Sequence, residues 1–234
     1  MKKISEILSG NTYPGRGIIL GRSKDGLRTV LVYFIMGRSV NSRNRVFTVT
    51  EDGIRTEAFD PSQMTDPSLI IYHPVRYYHG AAVVTNGDQT DTVWHALQKG
   101  GDFRGALLTR EFEPDGPNYT PRISGIAYPD GRIALSILKS LDGDPACCCR
   151  YFYEYDAPAA GMGYFIHTYE RDGAPIPSFT GEPRQVEIGC GYRDFAQEVW
   201  SALNEDNRVS LYACEIDRGT GKIAEPVIIN KNQK

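Results

Sequence analysis

The chain has 234 residues, of which 41% are hydrophobic and 24% are charged, and its net charge at pH 7 is -3. This length suits one large domain or two small ones, and the negative balance argues against broad non-specific nucleic-acid binding. The sequence has no apolar run of about 18 residues, so no membrane-spanning helix is predicted. The basic start Met1–Leu8 is not followed by the apolar core of a signal peptide, so we expect a cytoplasmic protein.

The first third of the chain is mostly β. Residues 5–9 predict a short helix, and the Asp-Gly pair at Asp25-Gly26 predicts a hairpin turn. The segment 29–36 is apolar on both faces, which is typical of a central strand. Strands are predicted over 17–21, 29–36, 46–49 and 54–59.

A polar loop, residues 37–45, follows the predicted central strand. It contains three Arg, two Asn and two Ser. Arg guanidinium groups with hydroxyl and amide donors suit a phosphate, and a solvated surface loop is the alternative. Arg45 directly precedes the next strand, which would hold its side chain on rigid structure.

The stretch Leu69–Ile126 is centred on the polar turn Asn86–Thr92. The apolar segment 68–72 leads into 73–78, where Pro74 marks a strand break or an edge. Ala81–Thr85 predicts a buried strand, and helical spacing follows the turn until the glycine pair 100–101. Asp88 and Thr90 are candidate helix caps. The turn is either a capped helix start or a site for an anion or polar ligand.

The remainder of the chain alternates helices and strands. A second helix is predicted over 103–112 with Ala106, Leu107 and Leu108 facing inward, and a strand opens near Arg122. Asp130-Gly131 predicts another hairpin. Strands 150–155 and 163–169 are expected to pair, and a last helix covers 192–203 before strands 208–216 and 223–229. The order predicts a single α+β domain over 1–234, with helices packed on stacked sheets.

The five cysteines show no metal or disulfide pattern. Cys147, Cys148 and Cys149 are consecutive, and neither a Cys-x-x-Cys pair nor zinc-spaced histidines occur. Adjacent strand residues point to opposite faces, so three consecutive cysteines do not easily hold one metal. We interpret them as reduced strand residues, with a reactive thiol as the alternative. Neither a metal nor a cofactor is predicted.

Several segments between residues 13 and 126 resemble, in order, the archaeal-type IMP cyclohydrolase family known as PurO. The matching segments are Gly15-Arg16, Gly21-Arg22, Ser39 with Asn44-Arg45, Tyr72 with Arg76, Asn86–Thr92, Glu113 and Thr120–Ile123. The resemblance implies a four-layer αββα sandwich like the N-terminal nucleophile hydrolase fold. Residue two is Lys2, so an N-terminal nucleophile amidase is not expected. A longer N-terminus and an insertion around 141–163 distinguish this chain from the archaeal enzymes.

The resemblance also implies a reaction: closure of 5-formamidoimidazole-4-carboxamide ribotide (FAICAR) to IMP with loss of water, in purine biosynthesis. It suggests catalytic roles for three residues, Arg45, Tyr72 and Glu113. For the 5′-phosphate it suggests Arg16, Arg22, Ser39 and Arg122, and for the base and ribose Asn86, Thr90 and Asp91. The expected partner is this purine nucleotide, without nucleic acid or membrane, and a homo-oligomer stays open. The alternatives are a nucleotide-binding regulatory module without turnover and a structural protein whose charges form surface ion pairs.

Overall fold

The computed structural model describes residues 1–64, 67 and 69–232, so Ser68 of the apolar segment 68–72 lies outside the described residues. The helices are α1 (Ile4–Leu8), α2 (Val40–Arg43), α3 (Gln89–Gln98), α4 (Phe103–Leu108) and α5 (Tyr192–Ala202), with a 3₁₀ turn at Pro61–Gln63. The strands are β1 (Arg16–Arg22), β2 (Arg28–Met36), β3 (Arg45–Thr50), β4 (Gly53–Ala58), β5 (Val75–Tyr78), β6 (Ala81–Thr85), β7 (Arg122–Ala127), β8 (Ile133–Leu141), β9 (Asp144–Tyr155), β10 (Met162–His167), β11 (Arg184–Glu187), β12 (Arg208–Asp217) and β13 (Val227–Asn230).

The strands form two antiparallel sheets. The six-stranded sheet has the order β11-β10-β1-β2-β12-β13, and the seven-stranded sheet runs from β3 to β9 in chain order. Strand β2 lies between β1 and β12, and every residue from Thr29 to Met36 is buried. The prediction of a central strand there is confirmed. The segment is apolar on both faces because both faces of β2 are buried.

The inner faces of the two sheets pack against each other. Ile18 and Leu31 of the first sheet belong to the same buried cluster as Val75 and Val84 of the second. Burying one such aliphatic side chain contributes about 1.5–3 kcal/mol. This shared core holds the first residues of β1 and β3 beside the last residues of β2, and that arrangement positions the site described below.

Helices cover the outer faces of both sheets. Helices α1 and α5 bury Leu8 and Phe195 against the six-stranded sheet, while α3 and α4 bury Val93 and Leu107 against the seven-stranded sheet. The α+β class is therefore confirmed, with two antiparallel sheets and few helices. No helix in the described part of the chain is long and apolar enough to cross a membrane.

Two local predictions were wrong in extent. The helix predicted over 103–112 ends at Leu108, and Leu108 is exposed rather than inward-facing. Residues 110–121 form a connection that contains Pro114, Pro117 and Pro121, and these prolines prevent a longer helix. The polar segment 37–45 is not all loop, because Ser39 caps the short helix α2 through a reciprocal bond with Ser42.

The expected pairing of strands 150–155 and 163–169 was also wrong. Strand β9 pairs with β8 at the edge of one sheet, while β10 pairs with β1 and β11 in the other sheet. The loop between them therefore crosses from sheet to sheet instead of closing a hairpin. Tyr155 and Tyr164 still stack, with ring centroids 3.7 Å apart, so the aromatic pattern reports a contact between the sheets.

The cysteines behave as predicted from their pattern. All five are free, and Cys147, Cys148 and Cys149 lie on β9 with intermediate exposure. Cys214 is buried on β12. Burial raises the pKa of the Cys214 thiol, so it is held in the protonated form.

His167 at the end of β10 gives a testable dependence of stability on pH. Its ring lies between Phe165 and Phe179, and its Nδ1 is 2.8 Å from the carbonyl oxygen of Tyr169. Burial lowers the pKa of His167 to about 4. An unfolded histidine titrates near 6.5. The contribution of the neutral, buried His167 to the free energy of unfolding is therefore complete above about pH 6.5 and is lost as pH falls towards 4. The loss amounts to about 3 kcal/mol at most.

We expect His167→Gln to flatten the pH dependence of the unfolding free energy between pH 6.5 and 4, because the amide donates to the same carbonyl without titrating. Urea unfolding at several pH values measures this slope. His95→Gln is the matched control, since His95 is exposed on α3. An unchanged slope in His167→Gln would show that other groups cause the acid sensitivity.

Candidate active site

Buried charged side chains meet where β1 and β3 begin and β2 ends. Arg16 is the first residue of β1, and Arg45 is the first residue of β3. Both point to the inner side of their sheets, as Ile18 and Phe47 do two residues later along the same strands. Tyr72 and Glu113 reach the same region from connecting segments. The two sheets therefore enclose this group of four residues, which we call the polar cluster.

Arg45 is completely buried. Its Nε donates to the carbonyl oxygen of Ser42 at 2.8 Å, and its Nη2 donates to that of Met36 at 3.3 Å. Its Nη1 has no hydrogen-bond partner among the described residues. Burial lowers the pKa of Arg45, but an arginine stays protonated in proteins. The cluster therefore holds a fixed cation with one spare donor.

Tyr72 presents its hydroxyl to the cluster from the segment before β5. The Tyr72 hydroxyl lies 2.8 Å from the Tyr33 hydroxyl. The backbone of Tyr72 is fixed by Thr56, whose Oγ1 accepts from the Tyr72 N–H at 2.8 Å. The phenol is thus held by β2 and β4 together and is only 5% exposed.

Glu113 lies in the connection between α4 and β7. Its backbone N–H donates to the Thr120 carbonyl at 2.9 Å, which closes this loop. Its Oε2 is 3.8 Å from Arg16 Nη2, and its Oε1 has no partner among the described residues. Burial raises the pKa of Glu113 to about 7, although Arg16, Arg122 and Arg45 oppose the shift. A carboxyl group with this pKa exchanges protons readily near neutral pH.

Arg16 completes the cluster opposite Glu113. Burial lowers the pKa of Arg16, but Glu113 and Tyr169 outweigh burial and leave the pKa well above its ordinary value. Its Nε has no partner among the described residues. Buried polar groups are normally hydrogen-bonded, so the free Arg16 Nε, Arg45 Nη1 and Glu113 Oε1 together match a polar ligand with acceptors and a donor.

Arg122 lies beside the cluster at the start of helix α3. Its Nη1 donates to Gln89 Oε1 at 2.7 Å and lies 2.8 Å from Asp88 Oδ1. Asp88 is the N-cap residue of α3, but its side chain makes no capping bond and instead pairs with Arg110 at 2.6 Å. A Cβ at Gly87 would lie 2.5 Å from Arg122 Nη1, so a side chain at this position would displace the Arg122 guanidinium.

Comparisons with known proteins identify the family of this chain. A family model described as IMP cyclohydrolase-like protein matches residues 13–220. The IMP cyclohydrolase of Halobacterium salinarum is 30% identical over 223 residues, which cover 93% of this chain and 98% of that protein. The enzyme of the same name from Methanopyrus kandleri is 29% identical over 71% of this chain and 89% of its own length. This chain belongs to the IMP cyclohydrolase-like family. The resemblance inferred from the sequence is thereby confirmed.

The cluster of this IMP cyclohydrolase-like protein contains four of the ten sequence-predicted site residues: Arg16, Arg45, Tyr72 and Glu113. Arg122 lies close enough for its charge to oppose the raised pKa of Glu113. Asn86 and Thr90 are buried beside it, and both are bonded within the protein. The Asn86 amide bonds the Pro121 carbonyl and the Ile123 N–H, and Thr90 bonds Thr85.

The other predicted residues lie farther out. Arg22 is at the opposite end of the seven-residue β1 from Arg16, about 20 Å away at about 3.3 Å per residue, and it bonds the Gly26 carbonyl. Ser39 is exposed and caps α2. Asp91 pairs with Arg76 at 3.0 Å and His73 at 3.3 Å. The structure does not bring Arg22 into the cluster of this family member.

Sequence reasoning missed several tyrosines around the cluster. Tyr33 bonds Tyr72, and Tyr169 bonds Thr120 Oγ1 at 2.5 Å. Tyr13 stacks on Tyr169 with ring centroids 5.8 Å apart. Tyr33 sits inside an apolar strand pattern, so no local signal separates its hydroxyl from a core aromatic. The alternation of β2 was the available clue, because it puts Tyr33 on the same face as Leu31 and Ile35.

Proposed function

We propose that this protein is an IMP cyclohydrolase, which closes FAICAR to IMP with loss of water in purine biosynthesis. The observation that carries the proposal is the polar cluster inside the matched residues 13–220. Its four members are at most 9% exposed, and three of them have a buried polar atom without a partner among the described residues. A family named for this reaction and a buried acid, base and cation support the same activity.

The first step forms the new C–N bond. The carboxamide nitrogen attacks the formyl carbon, and negative charge develops on the formyl oxygen. Arg45 Nη1 is the donor that we assign to this oxygen, and Tyr72 gives it a proton. Glu113 removes a proton from the attacking nitrogen. Its pKa of about 7 keeps a large share of the carboxylate at neutral pH.

The second step breaks the C–O bond. Glu113 returns its proton to the hydroxyl, which leaves as water. The Tyr72 phenolate takes the remaining formamide N–H proton as the C=N bond forms. Both groups then have their starting protonation, and the net change is the loss of one water. The cation Arg45 stabilises the phenolate between the steps.

The binding roles follow from distance to the cluster. Among the residues suggested for the 5′-phosphate, Arg16 and Arg122 are the ones in or beside the cluster, and we assign the phosphate to them. The Arg122 guanidinium is also presented at the N-terminus of α3, where a dianion is favoured. Asn86 and Thr90 would then border the base and ribose from the same turn, whereas Asp91 lies farther out, paired with Arg76 and His73.

The surrounding architecture is proposed as a four-layer αββα sandwich of the N-terminal nucleophile hydrolase type, in one domain over 1–234. Two stacked sheets with helices on their outer faces support it. The partner is a small purine nucleotide, and a cytoplasmic protein, as a monomer or homo-oligomer, is consistent with this role.

The test is the reaction of metal-stripped protein with FAICAR, followed by the ultraviolet absorbance of IMP. We expect turnover that survives chelation. Absence of IMP would overturn the enzyme proposal. If IMP nevertheless raised the melting temperature of such an inactive protein, the protein would be a nucleotide-binding module without turnover. No IMP formation and no change in melting temperature would show that the nucleotide is not a ligand.

A further inference from the structure

The buried hydroxyl of Tyr33 has no role in the chemistry described so far. Tyr33 is fully buried in the middle of β2, and its ring stacks on Phe47 with centroids 5.8 Å apart. A phenylalanine would fill the same core position without a polar atom. Burying a hydroxyl without a partner costs about 1–3 kcal/mol, so the bond of this hydroxyl to Tyr72 decides what it does.

The geometry allows either hydroxyl of this pair to donate, and the surroundings of Tyr33 favour donation by Tyr33. Burial raises the pKa of Tyr33 well above its ordinary value, although Arg16 and Arg45 oppose the shift. Tyr33 therefore keeps its proton. The Tyr72 hydroxyl, 2.8 Å away, is its hydrogen-bond partner among the described residues. We therefore take the Tyr33 O–H as the donor and the Tyr72 oxygen as the acceptor.

We propose that Tyr33 is a positioning residue for ring closure: it donates to the Tyr72 oxygen and so directs the proton of Tyr72 towards the substrate. The proposal rests on the proposed function. An oxygen that accepts this bond is left with its own O–H as the donor, and the bond also stabilises the phenolate that forms when that proton moves.

Three groups from three strands face Tyr72 and set the balance of charge there. Arg16 comes from β1 and Arg45 from β3, and both are cations that favour a phenolate. Tyr33 comes from β2 and is neutral. Glu113 faces Arg16, and its Oε2 lies 3.8 Å from Arg16 Nη2. Removing the Tyr33 hydroxyl takes away one donor and leaves every charge in place.

Tyr33→Phe tests the proposal because it deletes only that hydroxyl. We expect kcat to fall by about 10-fold, the size of one hydrogen bond of about 1.4 kcal/mol, with KM nearly unchanged. In a Tyr72→Phe background the same change should have almost no further effect, since coupled residues are not additive.

Tyr212→Phe is the matched control. Tyr212 lies directly opposite Tyr33 on β12 and is as deeply buried, but its hydroxyl contacts Tyr77 outside the cluster. It should lower stability without changing kcat for ring closure.

Full kcat in Tyr33→Phe, or a loss that adds undiminished to that of Tyr72→Phe, would overturn the positioning role while wild-type turnover still upheld the enzyme. If the wild type itself made no IMP, the proposed function would fail and the positioning role with it.

Discussion

Replacing Glu113 with Gln is expected to lower kcat for ring closure by about 10²- to 10⁴-fold, the range usual for loss of a general acid–base group. The change keeps the size of the side chain and removes its ability to exchange a proton. Glu113 is 2% exposed and faces Arg16, so bulk water is poorly placed to replace it. Steady-state IMP formation measures the effect.

The pH profile of the wild type supplies a second expectation for the same residue. Glu113 acts as a base only when ionised, and burial raises its pKa to about 7. Below that pH, kcat/KM should fall about tenfold per unit, and above it a plateau should follow. The residual activity of Glu113→Gln should lack this acid limb.

Glu111→Gln is the control for both measurements, because Glu111 lies two residues away with its side chain 67% exposed. It should keep the wild-type rate and profile. Near-normal turnover in Glu113→Gln would show that another group is the base.

Replacing Arg45 with Met is expected to lower kcat by about 10²- to 10³-fold, as removal of an oxyanion donor does. Methionine retains much of the apolar volume but supplies no donor. The carbonyl oxygens of Ser42 and Met36 then lose their partner, so the melting temperature should fall as well. Because of that fall, rates are to be compared well below the melting temperature of the variant.

Arg45→Lys separates charge from geometry. It restores a cation but not the planar fork that bonds two carbonyls and leaves Nη1 free, so kcat should stay well below wild type. Arg43→Ala is the control, since Arg43 is exposed on α2 and bonds Gly37 and Asn207. Wild-type kcat in a folded Arg45→Met would mean that the charge on the oxygen is stabilised elsewhere.

Part of the fold could be predicted because a buried strand or helix has a local pattern of apolar residues in the sequence. The run 29–36 is apolar on both faces because β2 lies inside a covered sheet, and α5 was predicted from residues spaced along one face. Ala81–Thr85 likewise shows in its sequence that it is buried. These signals arise within one element, so they need no knowledge of its neighbours.

The errors came from contacts between distant segments. Strands 150–155 and 163–169 look like a hairpin locally, but partner choice depends on which sheet has a free edge. Helix α4 ends at Leu108, and the proline-containing connection after it carries Glu113 to Arg16, a contact that the local pattern does not show. Arg22 resembles Arg16 in sequence, and the length of β1 separates them.

The site was predictable where side chains carry chemistry, and less so where they support it. Arg45, Tyr72 and Glu113 were identified through the family resemblance. The chain's membership of that family is shown, and the roles of the three residues stay a proposal. Tyr33 was missed because a tyrosine in an apolar strand has the pattern of core packing. Its partner is 39 residues away in sequence, so only the fold reveals the bond.

The most direct test of the central claim is a crystal structure of the protein with IMP bound. We expect the purine base between Arg45 and Glu113, with ligand atoms within hydrogen-bond distance of Arg45 Nη1, Arg16 Nε and Glu113 Oε1. The phosphate should lie towards Arg122. IMP bound at another surface, with these three atoms still without partners, would contradict the assignment of the polar cluster as the site of ring closure.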